Sequence, residues 1–193
     1  MRIALLSSTK GSTVEAILQA EKAGKLKPAD VVCVLSNKKD AGALEVARQF
    51  GKEAIFLSPN NLTREEYDQH LALTLKNRGV KLVALAGWMR ILSADFLAHF
   101  PDRVLNIHPS LLPKHAGLMD LDVHREVLKT KEKTSGMTIH LVVPKVDAGP
   151  IILQKEIAVE AGDTPESLKV KVQMLEKKWY PEAIRQLLIN SEQ

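Results

Sequence analysis

Short apolar runs alternate along this chain with longer stretches whose apolar residues recur at helical spacing, and the two periods separate strands from helices. Arg2 to Ser7 predicts a first strand, followed by a Gly11-Ser12 turn and a helix from about Thr13 to Ala23. Val31 to Leu35 predicts a second strand and Ala41 to Phe50 a second helix. Ala54 to Leu57 reads as a short strand. Thr63-Arg64-Glu65-Glu66 has the form of a capping box opening a helix to about Asn77, because a hydroxyl and a carboxylate three residues apart can each satisfy the other's free backbone N–H. Lys81 to Ala86 is a further strand, Asp95 to His99 falls in a short helix, and Arg103 to His108 is a strand.

The pattern then changes. A long loop, Pro109 to Asp120, leads to a helix near Leu121 to Leu128 and two strands near Met137 to Val143 and Pro150 to Val159. Thr164-Pro165-Glu166 opens a final helix with proline at its first position, where the missing N–H costs nothing. Pro181 is expected to kink or interrupt that helix, since an interior proline removes a hydrogen bond and crowds the preceding turn. Continuous apolar strands alternating with helices imply a sheet buried on both faces. The expected fold is α/β: a single-domain, Rossmann-like, open and mostly parallel twisted sheet with helices on both faces. No repeat, low-complexity segment or linker divides residues 1–193.

Composition narrows the function classes. Hydrophobic residues make up 45% and charged residues 26% of 193, which excludes a disordered chain. No apolar run reaches bilayer length. Ile3 to Leu6 is too short for a secretory core, so a cytoplasmic location and no membrane partner are expected. The single cysteine, Cys33, lies inside an apolar strand and reads as a core residue rather than a nucleophile or metal ligand. The net charge of +4 comes from scattered basic residues, and aromatics are only 4%, so no nucleic-acid platform is expected. No His, Cys, Asp or Glu cluster has metal-ligand spacing, and no metal is expected.

In open α/β sheets ligands sit outside the carboxyl ends of the strands, and three segments fall there. Ser8-Thr9-Lys10-Gly11-Ser12-Thr13 enters a helix, whose free N–H groups suit a phosphate. It matches neither the dinucleotide fingerprint nor the phosphate loop of nucleotide hydrolases, and it also fits a plain turn. Asn106 and His108 share one side of their strand because side chains alternate. An amide donor beside an imidazole can stabilise an oxyanion; the same residues also fit a structural reading, Asn106 satisfying backbone groups and His108 packing under the loop. Asp147, in Asp147-Ala148-Gly149-Pro150, fits a turn, or a partner for His108. Of the other histidines, His70, His99 and His124 fall on helices and His115 in a surface loop. His140 falls on a strand in a packing or hydrogen-bonding role. Ser110 lacks the turn that exposes a serine nucleophile.

Asn106-Ile107-His108-Pro109-Ser110-Leu111-Leu112-Pro113, together with Asp147-Ala148-Gly149-Pro150-Ile151 and Leu85 to Leu92, resembles the folate-dependent formyltransferases from Met1 to about Pro181. The resemblance implies that 10-formyltetrahydrofolate, a reduced folate, is the co-substrate and glycinamide ribonucleotide the acceptor in purine synthesis. It implies Asn106, His108 and Asp147 as the catalytic trio, with Asp147 raising the pKa of a protonated His108. Leu85, Met89, Arg90, Ile91 and Leu92 match the pteridine pocket, with Asn106 beside it, and Arg64 matches a residue near the folate tail. Lys10, Gly11, Ser12 and Thr13 occupy the ribose-phosphate loop, and Gln173 and Glu176 match positions contacting the nucleotide. One departure stands out. The family's loop usually reads Ser-Gly-x-Gly-Ser/Thr-Asn, so Thr9 replaces a glycine and Thr13 an amide, with Lys10 able to compensate by charge.

Three alternatives come with the resemblance. A formyltransferase for another amine, a sugar nucleotide or initiator methionyl-tRNA, shares the trio; the tRNA enzyme carries an additional C-terminal barrel. A formyltetrahydrofolate hydrolase uses water as acceptor and usually carries an N-terminal regulatory domain. An idle binding module would not need all three of Asn106, His108 and Asp147. A monomer or a homodimer fits equally.

Overall fold

Each apolar run read as a strand enters one sheet. In the computed structural model, which describes residues 1–190, the strands are β1 (Arg2–Leu6), β2 (Asp30–Ser36), β3 (Glu53–Phe56), β4 (Leu82–Leu85), β5 (Val104–His108), β6 (Thr134–Leu141) and β7 (Ile151–Ala158). Their order is β3-β2-β1-β4-β5-β6-β7. The first five pair in parallel. β6 and β7 run antiparallel to complete the sheet.

Alternation along the strands fills two cores. Ile3, Leu5, Leu82, Ala84, Leu105 and Ile107 face one side, covered by α1 (Ser12–Lys22), α2 (Gly42–Gln49) and α6 (Pro165–Asn190). Ala4, Leu6, Val83, Leu85 and Val104 face the other, covered by α3 (Arg64–Lys76) and α4 (Ala94–His99). The remaining helix, α5 (Leu121–Lys129), packs beside α6. Cys33 is fully buried, and that burial pushes its thiol up to about 11, an unreactive core residue as read from its strand. The capping box at the start of α3 forms in both directions: Glu66 N–H donates to Thr63 Oγ1 at 3.2 Å and Thr63 N–H to Glu66 Oε2 at 2.8 Å. Among the described residues no helix is long and apolar enough to cross a membrane.

Pro181 does not interrupt the last helix, which runs continuously from Pro165 to Asn190. Packing outweighs the lost hydrogen bond. Tyr180, Ala183 and Ile184 on either side of the proline are fully buried, and Tyr180 Oη donates to the carbonyls of Leu85 at 3.0 Å and Leu105 at 3.2 Å. The helix is thereby tied to the carboxyl end of β4 and to the start of β5.

The strand order reverses between β1 and β4, whose next neighbours lie on opposite sides. Loops leaving the two strands part there and open a crevice. Ser8 N–H bonds the Gly87 carbonyl at 2.9 Å and Ser8 Oγ accepts from Met89 N–H at 3.1 Å, which locks the two loops into one rim. The antiparallel β6 then sets His140 directly opposite Asn106, and Thr138 opposite His108.

Candidate active site

A cleft of about 580 Å³ opens over this rim. Lys10, Ser12 and Thr13 wall it from the loop after β1, and Gln173 and Glu176 from α6. Leu85, Met89, Arg90, Ile91 and Leu92 wall it from the segment after β4, with Asn106, His108 and Asp147 in the same cleft. The three segments singled out in the sequence therefore meet.

Two expected residues stand outside the cleft wall. Arg64 begins α3 and pairs with its neighbour Glu65 at 2.8 Å, beyond the lining residues. Gly11 caps α1 with φ +88°, and a Cβ there would lie 2.6 Å from Ala43 Cα. Glycine is required at that point for a left-handed backbone and for the close approach of α2. The residues just after it reach the cleft and the glycine does not.

Asp147 is the hub. Its Oδ2 accepts from Gly117 N–H at 2.9 Å and lies 3.3 Å from His108 Nδ1, while Oδ1 lies 3.5 Å from His140 Nε2. Burial works against its charge, but the His140 ring, the Gly117 N–H and the His108 ring outweigh it and hold the carboxyl below its ordinary value. Asp147 is ionised at neutral pH.

His108 is 4% exposed, and its Nε2 lies 3.1 Å from the His115 carbonyl. A carbonyl only accepts, so Nε2 carries the proton and Nδ1 faces Asp147. Burial pulls the imidazole below its ordinary pKa despite the opposing pull of Asp147 and the His115 carbonyl. Asp147 raises the imidazole, as expected from the sequence, and in the empty cleft desolvation is the larger effect.

The same counting orients Asn106. His140 Nδ1 lies 2.9 Å from the Leu141 carbonyl and must donate to it. With a lone pair on Nε2, 3.2 Å from Asn106 Nδ2, His140 takes one amide hydrogen while the other stays free. A second proton on the ring would redirect Nε2–H toward Asp147. Glu176 accepts from Thr13 Oγ1 at 3.4 Å, and burial lifts its carboxyl up to about 7.

Sequence reading missed His140 as a site residue, along with the Gly117 N–H and the His115 carbonyl. It also placed His115 at the surface, whereas that side chain is 9% exposed and bonds Glu132 at 2.6 Å. Only alternation along β6 hinted at His140, and alternation does not say which strand it faces.

The chain matches the formyl transferase family model over residues 1–184. It is 42% identical over 182 residues to phosphoribosylglycinamide formyltransferase of Escherichia coli (strain K12), spanning 94% of this chain and 84% of that one. It is 39% identical to the trifunctional purine biosynthetic protein adenosine-3 of Drosophila melanogaster, spanning 97% of this chain and 14% of that much longer one. Among solved structures, glycinamide ribonucleotide transformylase 1 from Symbiobacterium toebii aligns with a TM-score of 0.92 at 42% identity, over 96% of this chain and 86% of that one.

Proposed function

The chain belongs to the formyl transferase family, and from that premise we propose that it transfers the formyl group of 10-formyltetrahydrofolate to the amine of glycinamide ribonucleotide in purine synthesis. The observation that carries this reading is the convergence of Asn106, His108 and Asp147 in one cleft with the phosphate-type loop and the apolar Leu85–Leu92 segment. We place the reaction in the cytosol, on a monomer or homodimer.

The chemistry is direct acyl transfer. The substrate amine attacks the formyl carbon, and a tetrahedral intermediate forms with negative charge on oxygen. The free amide hydrogen of Asn106 and the His108 ring are donors for that oxyanion. Burial pulls the His108 ring below its ordinary pKa in the empty cleft, so the second proton on Nδ1 is the one the attacking amine gives up. It is taken through water and held by Asp147 and the developing oxyanion until it is passed on. The proton lost by the amine reaches the departing folate nitrogen by way of Asp147 and water, and the C–N bond to folate breaks. No covalent enzyme intermediate is needed.

Losing one such donor costs on the order of 10²–10³ in turnover. Asn106→Ala and Asp147→Ala are therefore expected to lower kcat by about that factor and leave the fold intact by circular dichroism. The defining experiment follows deformylation of the folate donor by absorbance, with and without glycinamide ribonucleotide. Nucleotide-dependent turnover supports the proposal. Release of formate without nucleotide points to the hydrolase, and turnover only with other amines points to a different acceptor.

A further inference from the structure

His108 gives its Nε2 proton to the carbonyl of a residue that is itself held in an unfavourable conformation. His115 has φ +59°, a left-handed backbone that costs a non-glycine residue about 1–2 kcal/mol. Its side chain turns inward, where Nε2 donates to Glu132 Oε1 at 2.6 Å. The two side chains are 9% and 15% exposed. Glu132 Oε2 takes Lys114 Nζ at 2.9 Å, and Thr130 Oγ1 donates to Oε1 at 3.3 Å. Burial raises the Glu132 carboxyl, but the Lys114 and His115 bonds prevail and keep it below its ordinary value, hence charged.

Glu132 is itself anchored. Its N–H bonds the Val127 carbonyl at 3.2 Å, in the turn between α5 and β6. Other contacts hold the loop on either side of His115: Ser110 Oγ donates to the Lys114 carbonyl at 2.6 Å, and Gly117 N–H reaches Asp147. Those bonds fix the neighbours. The His115–Glu132 pair fixes residue 115, whose carbonyl meets His108.

We propose that Glu132, acting through His115, is a positioning residue for His108: the buried pair holds the left-handed turn that aims the His115 carbonyl at Nε2. That keeps the resting proton on Nε2 and makes Nδ1, facing Asp147, the nitrogen that gains and loses a proton during the reaction. Glu132 touches no reacting group. The inference rests on the proposed role of His108 at the reacting centre.

The test compares Glu132→Ala, Glu132→Gln, His115→Asn and Lys114→Ala by kcat, KM and the ¹⁵N shifts of the His108 ring. Supporting partners of this kind are worth about 10–100-fold in activity. Glu132→Ala is expected to lose about tenfold in kcat with little change in either KM, and to mix the His108 tautomers. Glu132→Gln keeps an acceptor for His115 and retains most activity. Lys114→Ala leaves kcat unchanged. His115→Asn tolerates a left-handed backbone but loses the pair, so it matches Glu132→Ala, and the double variant is no worse than either. Should Glu132→Ala not fold, His115→Asn carries the same test. A folded Glu132→Ala or His115→Asn with wild-type kcat, or with unchanged His108 shifts, overturns the proposal. A wild-type protein without formyl transfer overturns the proposed function, while the His108 shifts still judge the tie from Glu132.

Discussion

Asn106 and His140 meet across β5 and β6, where the Leu141 carbonyl takes the His140 Nδ1 proton and leaves Nε2 to the Asn106 amide, so small changes at position 140 have a defined sign. His140→Leu removes the acceptor that orients the Asn106 amide and is expected to lower kcat about tenfold, the equivalent of one ordinary hydrogen bond of about 1.4 kcal/mol. His140→Gln, which can still accept, retains most turnover. In an Asn106→Ala background the His140→Leu substitution adds no further loss, and steady-state kinetics on the four variants check this. Lys10 fills the variable position of the family's loop, beside Thr9 where the family has a glycine, and can compensate by charge. It is exposed on the cleft wall, and Lys10→Ala is expected to raise KM for the nucleotide about tenfold with little change in kcat, through loss of about 1.4 kcal/mol of charge pairing. The wild-type KM rises with ionic strength more steeply than that of the variant. Asn106 and His108 were legible as a same-side pair because the two-residue period of a strand is local. The inward turn of His115 was not, since it depends on Glu132, 17 positions away.

At the level of elements, α6 shows tertiary packing overriding a local rule. Proline in a helix interior predicts a break, yet the helix is continuous because the residues around it fill the first core and Tyr180 reaches the carbonyls of Leu85 in β4 and Leu105 in β5. Tyr180→Phe removes the buried hydroxyl's bonds to those two carbonyls and is expected to cost about 1 kcal/mol, read as a lower urea midpoint at unchanged m-value. The same element carries Gln173 and Glu176 to the cleft, so the variant should also weaken nucleotide binding. Arg64 is the converse case. Its place in the capping box was readable from four residues, but which way the side chain pointed was not, and in the structure it pairs with Glu65.

For the whole molecule, buried imidazoles set the acid limit of stability. His124 is 1% exposed, its Nδ1 has no partner, and burial brings it down to about 4 from 6.5. Between those values the unfolded chain binds a proton that the folded chain refuses. Stability is therefore complete above about pH 6.5 and declines by up to about 3 kcal/mol as the pH falls toward 4. His108, also lowered, adds to the loss in the same direction. Urea unfolding at pH 7.5 and 4.5 measures the decline, and His124→Phe is expected to reduce it. Residue order alone determined the succession of strands and helices, the parallel half of the sheet, the two-sided core and the presence of Asn106, His108 and Asp147 near strand ends, because each follows from a period or a turn spanning a few residues. Folding decided the antiparallel register that sets His140 against Asn106, the burial that pulls His108 below its ordinary pKa and the contact of Glu132 with His115. These arise from contacts between distant segments and from exclusion of water, neither of which a local pattern encodes.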